Sequence, residues 1–365
     1  MAKLLDRFFR ENVSQAVIGS YLGVDIGTTS IKAVEVTVNQ GRATLVNYGA
    51  IESQDYLERA NSVIQTSLFN ISNGNAVEML KILVAQMKTK TKRVVAVIPS
   101  FSVFTSTIDL PIMSSAETAQ AIPHQARALV PLPMSDVTID WAPVCQFEGS
   151  DGVKKQRIFL ISVPNEQINA HKEVFKKAGL SLKLLEVDGI SIARALTTER
   201  EEDVLILDMG ALTSTIVIAG RGSLKYLNQT DFAGNSLTQS LTKGLGVSAK
   251  RAEALKRQKG LSGIIGEHGL STMMIPFIDV ILHEMIKARE IFEQNGGKIS
   301  KVILSGGGGG MNGLASYIEK RIQIVTEVAN PWSAVSYPLM FSPLLQPIAP
   351  RFTVAVGVGL KPFIE

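Results

Sequence analysis

One cysteine, Cys145, is all that this chain of 365 residues holds. No disulfide framework can form within it, and a reducing, cytoplasmic setting is expected. Long apolar runs are missing too: nothing approaches the ~18 uninterrupted residues of a membrane-spanning helix. A strong charge of one sign is also missing. The net charge of +4 is too mild over this length to argue for nucleic acid. The histidines, His124, His171, His268 and His283, show no metal-ligand spacing. Cys145 has no argued histidine partner, which disfavours a thiol nucleophile. The phosphate loop G-x-x-x-x-G-K-[ST] is absent. GGKIS at 296–300 resembles its tail, but Phe292 stands where the first glycine belongs. No G-x-G-x-x-G follows a strand in the right context, and the five-glycine run is too indiscriminate to count as one.

What is present is ordinary in bulk and patterned in detail. Hydrophobic residues make up 45% and charged residues 19%, as in soluble globular chains and unlike disordered ones. The length exceeds what one core usually covers, so two lobes are expected. The opening MAKLLDRFFREN lacks the long apolar core and small-residue cleavage site of a secretory signal. It reads as a short amphipathic helix, with Leu4, Leu5, Phe8 and Phe9 on one face and Lys3, Arg7 and Arg10 elsewhere. Packing on the protein's own surface is the simpler use, and a weak membrane-surface contact is the alternative.

Residues 21–26, 31–38 and 43–50 read as strands joined by turns, and 76–89 as a helix. RVVAVIPS (93–100) reads as a buried strand. Residues 101–165 form a small α+β unit between that strand and the next helix. It holds strands at SVFTSTIDLP, VTIDWAPVCQF and QRIFLISVP, and a helix opening near Ser115, with Pro123 inside it or at its start. A helix at 165–178 has Asn165 as its cap and Gly179 as its stop. Leu180 to Val187 is a strand ending at Asp188, and GISIARALTTE is a helix. VLILDMG (204–210) is a strand, followed by hairpin strands to Leu227. Helices are expected over 234–259 and 268–294. In the second, Phe277, Ile281, Met285 and Phe292 form a core stripe, not a cofactor box. KVILSGGGGGMNGL (301–314) is a strand, a glycine turn and the start of a helix, and FTVAVGVGL closes the chain, apolar and glycine-spaced. Strands alternating with helices argue for the α/β class.

Two segments echo one another. VDIGTTSIKAVEV and LDMGALTSTIVIA share an aspartate, a glycine at +2 and a hydroxyl at +5: Asp25, Gly27 and Ser30 in one, Asp208, Gly210 and Thr213 in the other. They lie about half a chain apart. A single copy could be an ordinary hairpin; a copy at the start of each lobe points to a shared task. Glycine allows a sharp turn and a close backbone approach, and successive amides there form a concavity for anionic oxygens. Thr28, Thr29 and Ser30 add hydroxyls, and Lys32 adds a charge that can reach phosphate. Asp25 and Asp208 would hold Mg²⁺ through water, because Mg²⁺ dehydrates reluctantly. LSGGGGGMNGL is either a linker or a strand–helix turn that lets a nucleotide approach a helix N-terminus. Glu253 and Lys256 in AEALK share a helix face, and on local grounds a solvated charge pair remains open.

In this order, the two Asp-x-Gly turns, the Glu-x-x-Lys helix and the glycine turn resemble the actin-like ATPase superfamily: actin, chaperone ATPases, sugar kinases and the cell-division protein FtsA. Within it the chain is most similar to the PilM family of type IV pilus assembly. The likeness runs over about residues 18 to 362. It is carried by DIGTTSIKAVEV, the Pro-Leu-Pro at 131–133 followed by VTIDWAPV, EVDG at 186–189, LDMGALTSTIVI, FAGNSLTQSL, AEALK, LSGGGGG and VAVGVGL. The resemblance implies a two-lobed actin-like ATPase fold of duplicated ribonuclease H-like lobes, with a small α+β subdomain inserted in the first. The expected divisions are an amphipathic segment at 1–17, a first lobe at 18–100 and 166–202, and the insert at 101–165. A second lobe follows at 203–235 and 296–365, with a helical subdomain at 236–295.

The resemblance also implies ATP or ADP with Mg²⁺ as ligand. Gly27, Thr28, Thr29, Ser30 and Lys32 would form the first phosphate turn, and Gly210, Ala211, Leu212 and Thr213 the second. Asp25 and Asp208 would flank the metal. Glu253 and Lys256 would face the ribose and adenine, and Gly306, Gly307, Gly308 and Asn312 would border the adenosine. Thr215 stands where the first turn has Lys32, so the lysine is not duplicated. Asp188 lies where hydrolysing relatives orient water, and turnover is expected to be slow at most; its simpler use is to cap the helix after it. The implied partners are the amino-terminal cytoplasmic peptide of PilN, at a groove beside the insert, and other inner-membrane and motor components of the pilus. No nucleic acid is implied, and a homo-oligomer is open. The implied location is cytoplasmic, at the inner membrane through partners. An FtsA-like filament protein and a sugar kinase are the alternatives, but no sugar-binding polar cluster is evident beyond Asp188.

Overall fold

A computed structural model describes residues 19–53, 73–149, 152–198, 202–262, 264–265 and 268–363. The amphipathic stretch expected at 1–17 lies outside them. The first sheet opens with three antiparallel strands, β1 (Tyr21–Ile26), β2 (Ser30–Asn39) and β3 (Arg42–Glu52). After helix α1 (Asn73–Met87), strand β4 (Arg93–Ile98) joins β1 in parallel. The insert follows as β5 (Phe104–Pro111), α2 (Ser115–Ala126), β6 (Val137–Glu148) and β7 (Lys154–Pro164). Helix α3 (Asn165–Lys177) leads back to β8 (Ser181–Val187), which pairs with β4, and then to α4 (Asp188–Thr197).

The second sheet repeats this plan. Strands β9 (Asp203–Met209), β10 (Ser214–Gly220) and β11 (Ser223–Thr230) are antiparallel. Helices α5 (Gly234–Leu245) and α6 (Ala249–Lys259), a two-stranded ribbon β12 (Ile264–Ile265) and β13 (His268–Gly269), and α7 (Leu270–Gln294) precede β14 (Ile299–Ser305). After the one-turn α8 (Gly306–Gly309) and α9 (Leu314–Ile322), strand β15 (Thr326–Val328) completes the sheet. The strand orders are β3-β2-β1-β4-β8 and β11-β10-β9-β14-β15, the same topology twice. The central strands are apolar on both faces because both faces are covered. Val204 and Ile206 face a core shared with the first lobe, while Leu205 and Leu207 face α5, α6, α7 and α9.

The insert is a three-stranded sheet with β7 in the middle. Alternate residues of β7 serve two cores: Ile158 and Leu160 pack under α2, and Phe159, Ile161 and Val163 join the first-lobe core. Helix α2 starts at a capping box between Ser114 and Glu117 and carries Pro123 inside its last turns. Asn165 does not cap α3 as expected. It is the first helical residue, and its side chain is held by Thr138 and by the Ser135 carbonyl. The helical stretch expected over 234–259 is divided into α5 and α6, because Gly246 adopts φ +62°, a left-handed stop that favours glycine. Ile281 and Met285 are buried in the second-lobe core, with Phe277 and Phe292 against it.

The closing stretch was expected with the second lobe, but it folds onto the first. Segment 335–337 pairs with the edge of β3, Ser336 exchanging hydrogen bonds with Leu45 and Ala43. A short helix α10 (Ser342–Leu345) precedes α11 (Thr353–Leu360), which packs on β1, β2, β4 and α4. The glycine spacing of FTVAVGVGL is the reason. A side chain at Gly357 would overlap the Ser191 carbonyl of α4, and one at Gly359 would meet Val34 and Val36 of β2 at 3.0 and 3.2 Å. Among the described residues no helix is long and apolar enough to cross a membrane.

Candidate functional site

The carboxyl ends of the parallel strands are where an α/β sheet offers a ligand site. Here a cleft of about 340 Å³ lies at those ends, between the lobes. Both Asp-x-Gly turns line it. The two turns are one structure made twice: the Gly27 amide donates to the Ser30 carbonyl at 2.9 Å, and the Gly210 amide to the Thr213 carbonyl at 3.0 Å. Across each hairpin Asp25 faces Lys32 and Asp208 faces Thr215, so the sequence positions compared above are structural equivalents. A methyl at Gly210 would sit 2.7 Å from the Thr213 carbonyl oxygen, so this turn excludes a side chain. The second turn is also tied to α5, where the amides of Gly234 and Asn235 donate to the carbonyls of Gly210 and Ala211.

The glycine turn faces both hairpins. Gly306 has φ +81° and its Cβ direction runs into the backbone of Met209, whereas a Cβ at Gly307 would meet nothing within 4 Å. The first glycine therefore permits the turn, and the second leaves space in the cleft wall. Gly308 lines the cleft too; Asn312 and Leu212 do not. The Asn312 backbone instead supports Gly260 and Leu261 at the end of α6.

Three carboxylates gather at the floor. Asp25 bonds Lys32 Nζ at 3.0 Å. Asp208 accepts from Ser305 Oγ at 2.7 Å. Its burial, with the Asp25 charge adding, pushes its acid group up to about 6, against the pull of Ser305 and Lys32. Asp188 is the first residue of α4 and accepts from the Gly189 amide, from the Ser100 amide and from Ser100 Oγ. Burial outweighs these donors and pushes it up to about 7, with Asp208 contributing. Among the described residues no group of three or more His, Cys, Asp or Glu is placed to hold a metal ion directly.

Glu253 and Lys256 are not a solvated pair. They are buried, 2.6 Å apart, and line the cleft. Lys256 Nζ also donates to the Gly234 carbonyl at 2.7 Å and to Thr238 Oγ1 at 2.8 Å, which uses all three of its donors. Burial opposes ionisation of Glu253. The Lys256 charge and hydrogen bonds from Lys256, Thr238 and Arg257 outweigh it and hold the carboxyl below its ordinary range. At the cleft mouth Glu52, at the end of β3, pairs with Arg351 and lies 3.7 Å from Arg257 of α6.

Sequence reasoning missed Ser100, Ser305, Glu52, Arg257 and Arg351. The two serines had a signal. VIPS and VILS each end a buried strand with a hydroxyl, and each hydroxyl donates to an aspartate on the neighbouring strand or just beyond it. Glu52 and the arginines meet only through the fold.

A model of the family described as type IV pilus assembly protein PilM matches residues 23–363. The chain belongs to that family. Among curated proteins it is similar to the cell division protein FtsA of Enterococcus faecalis (strain ATCC 700802 / V583). The two are 22% identical over 344 residues, covering 84% of this chain and 77% of that protein. FtsA of Escherichia coli (strain K12) is 23% identical over 214 residues, covering 50% of this chain and 51% of that protein. Among solved structures, the PilM-PilN type IV pilus biogenesis complex matches with TM-score 0.78 at 22% identity. That match covers 94% of this chain and 99% of that one. MreB 5 of Spiroplasma citri bound to AMPPNP matches with TM-score 0.54 at 14% identity, covering 94% and 95%. The fold is that of the two-lobed actin-like ATPases, with an inserted α+β subdomain in the first lobe.

Proposed function

We propose that this protein binds an adenine nucleotide with Mg²⁺ between its lobes, and that the bound state sets the shape of a groove beside the insert. The groove receives the amino-terminal cytoplasmic peptide of a PilN-type membrane protein. In this reading the protein works on the cytoplasmic side of the inner membrane, held there by partners, between pilus membrane components and the motor side. One observation carries the nucleotide reading: two Asp-x-Gly turns built on the same backbone hydrogen bond face one cleft, with a glycine turn opposite.

The amides and hydroxyls of Gly27 to Ser30 and of Gly210 to Thr213 would take phosphate oxygens, and Lys32 would add charge. Asp25 and Asp208 would accept hydrogen bonds from metal-bound water. The metal, when bound, would supply neutralisation of phosphate charge. Glu253, Lys256 and the Gly306–Gly308 wall would border the nucleoside. Asp188, titrating near neutrality, is suited to accept a proton from water, consistent with slow turnover. Beyond the turns the cleft wall mixes apolar side chains such as Val97, Phe101 and Met311 with the charged Glu52, Arg257 and Arg351. The peptide reading draws on the similarity to the PilM-PilN complex.

Titration calorimetry of the full chain with Mg-ATP tests the nucleotide site. Asp25→Ala and Asp208→Ala should each weaken Mg²⁺-dependent affinity by about tenfold or more, the usual cost of losing a partner to a metal's own ligands. Their thermal transitions should stay near that of the parent. Unchanged affinity in both would overturn the reading.

A further inference from the structure

The chain leaves the first sheet at Ile98 and enters the insert at Phe104. Between them stand Pro99 and one tight helical turn, Ser100–Ser102. The turn is closed by the Ser102 amide donating to the Pro99 carbonyl at 2.9 Å and the Val103 amide donating to the Ser100 carbonyl at 3.2 Å. Ser100 is buried. Both its amide and its hydroxyl donate to Asp188, one to each carboxylate oxygen. The neighbours of Ser100, Pro99 and Phe101, line the same cleft as Asp188. The entrance to the insert is thus clamped at two points by a carboxylate on the cleft floor.

The exit is built differently. The Asn165 amide donates to the Asp136 carbonyl at 2.8 Å, its side-chain oxygen accepts from Thr138 at 2.7 Å, and its side-chain amide donates to the Ser135 carbonyl at 3.0 Å. Asn165 starts α3, so this joint fastens the insert to the first lobe and touches nothing in the cleft. Of these two joints, the entrance is the one bonded to Asp188.

We propose that Ser100 is a positioning residue that couples the phosphate end of the cleft to the inserted subdomain, holding Asp188 on one side and the start of β5 on the other. Whatever engages the Asp188 carboxylate shares the oxygens that Ser100 holds. Any shift of Ser100 passes through one hydrogen-bonded turn into β5, whose partner β7 shares its Phe159 and Ile161 with the first-lobe core. Coupling of this kind is a free energy between two sites and acts in both directions. The proposal rests on the nucleotide reading of the cleft.

Hydrogen exchange of the full chain, read by mass spectrometry with Mg-ATP, with Mg-ADP and without nucleotide, separates the two ideas. In the parent protein Mg-ATP should slow exchange at 25–32 and 208–215, and should change it at 104–111 by about threefold or more relative to Mg-ADP. Ser100→Ala should keep the response of the turns and lose that of 104–111, and Ser100→Thr, which retains the hydroxyl, should restore it. Should Ser100→Ala fail to fold, Ser100→Cys, close in size but a weak donor, should keep the response of the turns and blunt that of 104–111. If the turns respond and 104–111 does not, or if 104–111 responds equally in Ser100→Ala, the coupling is overturned while the nucleotide reading stands. If the turns themselves do not respond, the nucleotide reading falls and the coupling with it.

Discussion

The two Asp-x-Gly turns have the same backbone and different electrostatics. In the first, Asp25 is answered by an ammonium, Lys32, across the hairpin. In the second, the equivalent position is Thr215, and Asp208 is answered by a neutral hydroxyl from the next strand, Ser305. Strand order, hairpin register and the glycine amide bond are common to both lobes. The duplicated framework thus fixes where donors stand, and side chains decide which half brings charge. One turn carries a cation, and the other a carboxylate whose ionisation burial opposes.

The largest effect should come from erasing that asymmetry. Lys32→Thr makes the first turn chemically like the second and leaves Asp25 without its cation. Nucleotide affinity should fall by about 100-fold, since charge-assisted bonds to phosphate are the strong ones. Thr215→Val should cost less than about fivefold. Calorimetric titration of both variants decides the matter; equal losses would mean that the lysine has no special part.

Next comes the backbone. A methyl at Gly210 would lie 2.7 Å from the Thr213 carbonyl, while one at Gly27 would lie 3.2 Å from the Ser30 carbonyl. Gly210→Ala should therefore destabilise by about 2 kcal/mol and Gly27→Ala by less than about 1 kcal/mol, the range of mild overpacking. Urea denaturation curves for the pair would show whether the second turn is the tighter one.

The last effect is electrostatic and depends on pH. Asp188 and Asp208 are raised above their unfolded value of 3.8, to about 7 and about 6. A raised acid binds protons more tightly when folded, so it costs stability increasingly as pH climbs from about 4 through the folded value. Asp188→Asn and Asp208→Asn remove that cost. Each should gain on the parent as pH rises from about 4, and the gain should level off above the folded value, at lower pH for Asp208→Asn than for Asp188→Asn. The buried His171, pushed down to about 4 by desolvation, works in the opposite direction but is common to all three proteins. Equal gains, or none, would show that the two carboxylates sit in similar surroundings.

What was legible in the sequence is what local pattern dictates. An apolar strand, an aspartate, a glycine and a hydroxyl suffice to mark each turn, and continuous apolar runs mark the strands around it. The equivalence of Lys32 and Thr215 could be counted off because a hairpin register is set by its turn. The rest depends on contacts between distant segments. FTVAVGVGL is apolar on every side and says nothing of which lobe it joins; Gly357 against Ser191 and Gly359 against β2 decide it. Asn165 has the composition of a cap, but Thr138 and Ser135 claim its side chain. The helical stretch expected over 234–259 divides in two because Gly246 takes a left-handed conformation. Leu212 and Asn312 carry family positions without lining the cleft, while Ser100 and Ser305 line up with aspartates that only the folded sheets bring near.

The return of α11 to the first sheet has a consequence for the order in which the molecule can be made. Strand β1 emerges early in synthesis and α11 only after the whole of the second lobe. The face of β1 and β2 that α11 covers, including Val34 and Val36, must wait on the ribosome with its apolar side open. The first lobe is therefore begun first and finished last, and a chain stalled in the second lobe is left with the first one unsealed.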